Sequence, residues 1–201
     1  MNIFDFLKRK EKNINKTEVE PIYRNQSEEY KITFADFVEK EHLSRVIENP
    51  IISSEFEKEF AHLIVGKPMK KGEIISLKYY SISINIWEQT VEVIFDAENK
   101  NIEKFIDKIN LQLNWLSKNR EYINKNITQN LLNIKNENWL NKNELQKSST
   151  EFIRLISLKS INFIQNSAFN LNFYDGNLFN GHSIEVKLNS KQEVKKVSIE
   201  G

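Results

Sequence analysis

Between Ile102 and Ile134 apolar residues recur every three or four positions, and on either side of that block they recur every second position. This change of period constrains the fold more than any other feature of the chain. A 3.6-residue period suits a helix lying on a core, and a period of two suits a half-buried strand. Ile102, Phe105, Ile106, Ile109, Leu113 and Leu116 make one stripe, entered through Asn99 or Asn101. Ile123, Ile127, Leu131 and Ile134 make a second, with a break near Lys118, Asn119 and Arg120. The spacing predicts a helical hairpin. Trp139 ends it beside a polar loop, where its ring could cap the core. Ser148 with Glu151 then opens a short third helix carrying Phe152, Leu155 and Ile156.

Ahead of the hairpin, Ile82, Ile84 and Ile86 alternate with Ser81, Ser83 and Asn85, and Val91, Val93 and Phe95 follow the connection Glu88-Gln89-Thr90. Ile74 to Tyr80 supplies a further strand, and Tyr80 and Trp87 read as packing residues at the sheet's edge. Behind the hairpin come Ile161 to Ile164, a turn at Gln165-Asn166-Ser167, then Phe169, Leu171 and Phe173, then Ile184, Val186 and Leu188, and finally Val197 and Ile199. The expected fold is α+β: a mainly antiparallel sheet with the hairpin and the short third helix on one face, plus an N-terminal helical extension.

That extension divides in two. Residues 1–31 read as an apolar tip followed by a polar linker, and residues 32–70 as a short helical subregion ahead of an α+β domain over 71–201. Thr33 with Asp36 predicts a capped helix to about Ile47, and Ser54 with Glu57 a second helix before Gly66 and Pro68. The second carries Glu55, Glu57 and Glu59 against Lys58, the wrong sign for a helix that reads DNA.

With 29 basic and 28 acidic residues the chain lacks the charge of a dedicated nucleic-acid binder, and with no cysteine it has no disulfide, thiolate metal site or cysteine nucleophile. No run is long and apolar enough for a membrane span, so the expected location is cytoplasmic. A weak peripheral membrane contact could come from Ile3, Phe4, Phe6 and Leu7 beside the lysines that follow. The many asparagines, lysines and isoleucines read as a coding bias. His42 and His62 fall on predicted helices outside any metal-binding motif, and neither metal nor cofactor is expected.

One stretch stands out for chemistry. Phe169 to Val186 holds two of the five glycines and one of the three histidines between two alternating strands. Asp175 shares parity with Phe173, and His182 with Ile184, so antiparallel pairing would turn both inward where they could meet. A carboxylate accepting the imidazole N–H would set its tautomer and free the other nitrogen as a base. The same contact could serve only to hold the loop. Tyr174, Asn177, Phe179 and Asn180 are the candidate binding residues, with Phe179 as a possible exposed anchor.

The block Tyr174-Asp175-Gly176-Asn177-Leu178-Phe179-Asn180-Gly181-His182-Ser183-Ile184-Glu185-Val186 resembles the C-terminal block of a bacterial family catalogued as domain of unknown function 2262. The resemblance extends over about residues 72–201 and includes Asn-Glu-Asn-Trp139 and the segment Phe152 to Leu158. The family pattern has two aspartates at Asp175, Asp at Asn177 and Trp at Asn180, so a carboxylate cage for a cation is not implied here. The resemblance implies a single domain with this loop as its hallmark and brings no catalytic residues.

The leading expectation is a non-catalytic intracellular domain that binds another protein, of the immunity or accessory type. The alternative is a hydrolase using His182 oriented by Asp175, and the oligomeric state is left open. No Walker loop, Gly-x-Gly-x-x-Gly or Gly-x-Ser-x-Gly motif supports an enzyme.

Overall fold

The computed structural model describes residues 29–45, 74–96, 101–164 and 167–201. The chain divides into two compact units, and nearly all of the described residues belong to the one formed by residues 18–40 and 79–201. The apolar tip at Ile3 to Leu7, the predicted helix from Ser54 and His62 all lie outside the described residues.

Seven strands form one sheet in chain order: β1 (Val38–Arg45), β2 (Ile74–Ile86), β3 (Gln89–Asp96), β4 (Ser157–Phe163), β5 (Phe169–Tyr174), β6 (Ser183–Leu188) and β7 (Val194–Glu200). Three helices, α1 (Ile102–Lys118), α2 (Arg120–Asn138) and α3 (Ser149–Leu155), lie in the chain between β3 and β4. The fold is therefore α+β, as the change of period predicts. β2–β3, β4–β5, β5–β6 and β6–β7 pair antiparallel, while β3 and β4 pair parallel. The parallel pair follows from the long helical connection, since only a crossover can bring two successive strands together in the same direction.

Strand parity holds along β3, β5 and β6. Val91, Val93 and Phe95 of β3, Phe169, Leu171 and Phe173 of β5, and Ile184, Val186 and Leu188 of β6 are all buried, while the residues between them are half-buried or exposed. On the polar side Asn170 donates to Glu185 (3.0 Å) and Asn172 to Ser160 (3.2 Å) across neighbouring strands. The buried side meets the helices, with Phe95 and Phe105 edge to face at 5.5 Å. From α1, Phe105, Ile106, Ile109, Leu113 and Leu116 are buried, and from α2, Ile123, Ile127 and Leu131. Asn119 separates the two helices, at the expected break. The capping box at Ser148 and Glu151 is present and opens α3.

Several expectations are corrected. The helix predicted from Thr33 to Ile47 is one turn of 3-10 helix (Phe34–Asp36) followed by β1, so His42 lies on a strand. Asp36 does accept the Thr33 N–H at 2.7 Å. The turn stops because Phe37 takes an extended conformation and buries its ring against Phe95 at 4.9 Å. Core packing thus overrides a local cap. The two strands read at Ile74 to Tyr80 and Ile82 to Ile86 are one strand of 13 residues. Its hairpin turns at Trp87 and Glu88, both with positive φ (54° and 64°), the geometry of a two-residue primed turn. Trp87 anchors that turn by donating its indole N–H to the Leu116 carbonyl at 3.1 Å. Ile134 is 37% exposed, and the stripe on α2 ends instead in the fully buried Lys135. Tyr30 and Ile32, read as linker and its border, are both buried in the core.

Candidate functional site

The β5–β6 connection is built around a buried carboxylate. Asp175 is completely buried, its Oδ1 accepts the Asn177 N–H at 3.1 Å, and its Oδ2 accepts those of Phe179 (2.8 Å) and Gly181 (3.3 Å). Backbone turns close at Leu178 N–H to Asp175 O (3.1 Å) and His182 N–H to Phe179 O (3.2 Å). Converging amide dipoles hold an anion in a low-dielectric setting without a cation, and no described basic group pairs with Asp175. The local sequence suits this path. Gly176, Asn177, Asn180 and Gly181 all have positive φ, which glycine and asparagine tolerate best. Gly176 also lies so close to the end of α3 that a Cβ there would stand 2.2 Å from the Leu155 carbonyl oxygen.

Asp175 and His182 both lie at the strand ends, but they do not pair. The Asp175 carboxylate is engaged by the loop's own amides, and His182 Nδ1 lies 2.6 Å from the Phe179 carbonyl oxygen. A carbonyl can only accept, so Nδ1 carries the proton and Nε2 is the basic nitrogen of the neutral ring. The ring, half-buried, meets Trp139 edge-on at 5.3 Å. Gly201 lies against the ring, where a Cβ would stand 1.7 Å from its Cδ2. The expected acid–base couple is thereby replaced by two residues that each bind the loop's main chain.

Phe179 is corrected as well. The parity of an irregular loop does not continue that of its strands, and Phe179 is fully buried between Trp139 (5.6 Å) and Phe152 (6.2 Å). Tyr174 is 49% exposed, with its hydroxyl 3.3 Å from the Asn177 side-chain oxygen, and Asn177 and Asn180 are exposed. These three residues form the outward surface of the loop. Among the described residues no group of three histidine or acidic side chains converges as a metal site.

Trp139 links the loop to a second buried charge that the sequence reading missed. Lys135 Nζ donates to the Trp139 carbonyl at 2.6 Å and to Glu144 Oε2 at 2.9 Å. The Asn141 backbone N–H (2.9 Å) and the Lys135 ammonium together hold the Glu144 carboxyl down to about 2, with Lys147 at 3.2 Å adding to the effect. The available signal was the i+4 series Ile123, Ile127, Leu131, which continues to Lys135.

Two asparagines on α1 were also missed. Asn110 accepts the Ile32 N–H (2.8 Å) and donates to the Ile32 carbonyl (2.7 Å), and Asn114 does the same for Tyr30 (2.5 and 3.2 Å). Asn136 clamps the main chain of Lys147 in the same way (2.8 and 2.9 Å). Residues read as a coding bias are thus main-chain clamps.

Residues 73–199 match the model of a family described as uncharacterized protein conserved in bacteria (DUF2262). No curated protein and no solved structure matches the chain.

Proposed function

The chain belongs to the DUF2262 family, and we propose that its domain is a non-catalytic protein-binding module of the accessory or immunity type. The observation that carries this reading is the full commitment of Asp175 to the amides of Asn177, Phe179 and Gly181. A carboxylate spent on its own loop cannot orient His182, and the hydrolase alternative loses the group that would have tuned its base. What the loop gains is rigidity. Tyr174, Asn177 and Asn180 are then presented on a fixed frame, which lowers the ordering entropy a partner must overcome.

The experiment is affinity capture from a bacterial host with the full chain and with a Tyr174→Ser, Asn177→Gly, Asn180→Gly variant. Glycine retains the positive φ at both asparagine positions, so the variant should keep the parent's melting temperature. Stoichiometric capture by the parent and its loss in the variant is the expected result. Equal capture by both, or none by either, overturns the reading.

A further inference from the structure

The sheet ends in an open edge, separated by β6 from the strand that carries Tyr174. β7 is last in the strand order, and among the described residues only β6 pairs with it. Along the other side of such a strand, main-chain N–H and C=O groups point outward, ready to pair with a further strand. The apolar side chains of β7 are incompletely covered as well. Ile184 and Val186 of β6 are fully buried, whereas Ile199 and Val197, which pair with them, are only half-buried although α2 packs against β7. A neighbouring strand would cover what the helix leaves open.

The charges identify the occupant. Lys196, Ser198 and Glu200 lie on the polar face, opposite Lys187, Glu185 and Ser183 of β6. Lys196 thus faces a like charge on its paired side, and the Glu200 carboxylate of its own chain stands 3.9 Å away, with the two side chains 58% and 36% exposed. Lysines on an edge ordinarily turn a further strand away. A second β7 laid antiparallel, with the two-fold axis through Ser198, instead brings each Lys196 opposite the other copy's Glu200 and each Val197 opposite the other copy's Ile199. Other centres that keep the two faces aligned lose this match. About Val197, Glu200 would meet Val194, and about Lys196 the two lysines would meet each other. We propose that β7 is a self-association edge, through which two copies of this chain join their sheets into one.

Sedimentation velocity of the full chain, over a concentration series up to about 1 mM, should show a monomer–dimer equilibrium, weak because the interface is one strand wide. Lys196→Glu alone, or Glu200→Lys alone, sets like charges opposite each other at two symmetry-related points and should weaken the dimer by about tenfold or more. Both side chains are at the surface, so each variant should keep the parent's melting temperature. An equimolar mixture of the two single variants should dimerise again, since each supplies the charge that the other lacks, and the double exchange should do so by itself. Loss of folding cannot imitate that recovery. A parent that stays monomeric throughout the series, a dimer indifferent to both reversals, or a mixture that recovers nothing overturns the proposal. The Tyr174→Ser, Asn177→Gly, Asn180→Gly variant should dimerise as the parent does, and loss of its dimer would move the interface to the loop and equally overturn β7 as the edge.

Discussion

Lys135 Nζ lies 2.9 Å from Glu144 Oε2, and the lysine side chain is 1% exposed against 19% for the glutamate. A cation this buried is stable only while its partners stay in place. The Glu144 carboxyl, lowered from the ordinary 4.5 to about 2, is ionised in the folded protein at pH values where the unfolded chain is already protonated. Its stabilisation is therefore complete above the unfolded value and decays as pH falls toward 2. The melting temperature of the parent should fall more steeply below pH ~4.5 than that of a Glu144→Gln variant. Parallel acid limbs would exclude Glu144 as a source of the acid sensitivity. At neutral pH Glu144→Ala should cost about 3 kcal/mol by urea denaturation, and adding Lys135→Met should recover much of it, since the stranded charge is then gone.

Asp175 makes a second, separable prediction. Alanine there strands three amides, one of them on the fully buried Phe179, and should cost about 4 kcal/mol. Asparagine keeps the shape and one acceptor oxygen but turns an N–H₂ toward a backbone donor, so its cost should be about 2 kcal/mol. Urea unfolding of both variants gives the comparison, and an Asp175→Asn variant as stable as the parent would remove the buried anion from the account of the loop.

Much of this fold was legible because its helices and strands bury one side each. The stripes on α1 and α2, the capping box at Ser148 and the alternation of β5 and β6 are local patterns with a single reading. What escaped was decided by distant partners. The Thr33–Asp36 cap signals a helix, and only the seat for Phe37 beside Phe95 turns the chain extended. Asn110 and Asn114 are ordinary surface asparagines until Tyr30 and Ile32 are laid across them. At the loop, the inward turn of Asp175 followed from parity, but its partners did not, because amide donors carry no sequence label. Phe179 was misplaced for another reason: once the chain leaves the strand, its period no longer says which way a side chain faces.

Phe179 and His182 should both answer to stability. Phe179→Ala empties the space between Trp139 and Phe152 and should cost about 4 kcal/mol. The His182 ring at neutral charge should show its proton on Nδ1 in long-range nitrogen–proton spectra, as its bond to the Phe179 carbonyl requires. His182→Ala should lower the melting temperature through lost contact with Trp139. A proton found on Nε2 would contradict the bond and reopen the histidine as an oriented base.

The two loop glycines separate conformational strain from steric fit. Both have positive φ, 61° at Gly176 and 84° at Gly181, so alanine is strained at either position by about 1 kcal/mol. At Gly181 nothing lies within 4 Å of where the methyl would sit, and strain should be the whole effect. At Gly176 the methyl would meet the Leu155 carbonyl oxygen at 2.2 Å, and that carbonyl belongs to the end of a packed helix that cannot yield without disturbing Phe152. Gly176→Ala should then cost about 3 kcal/mol, since clash and strain combine at a site with no flexible neighbour. The difference between the two variants, read from urea midpoints with an unchanged slope, measures how tightly the loop is pressed against α3. Equal losses would mean that the loop can lift away, in which case Asp175 and its three amides would have to hold it unaided.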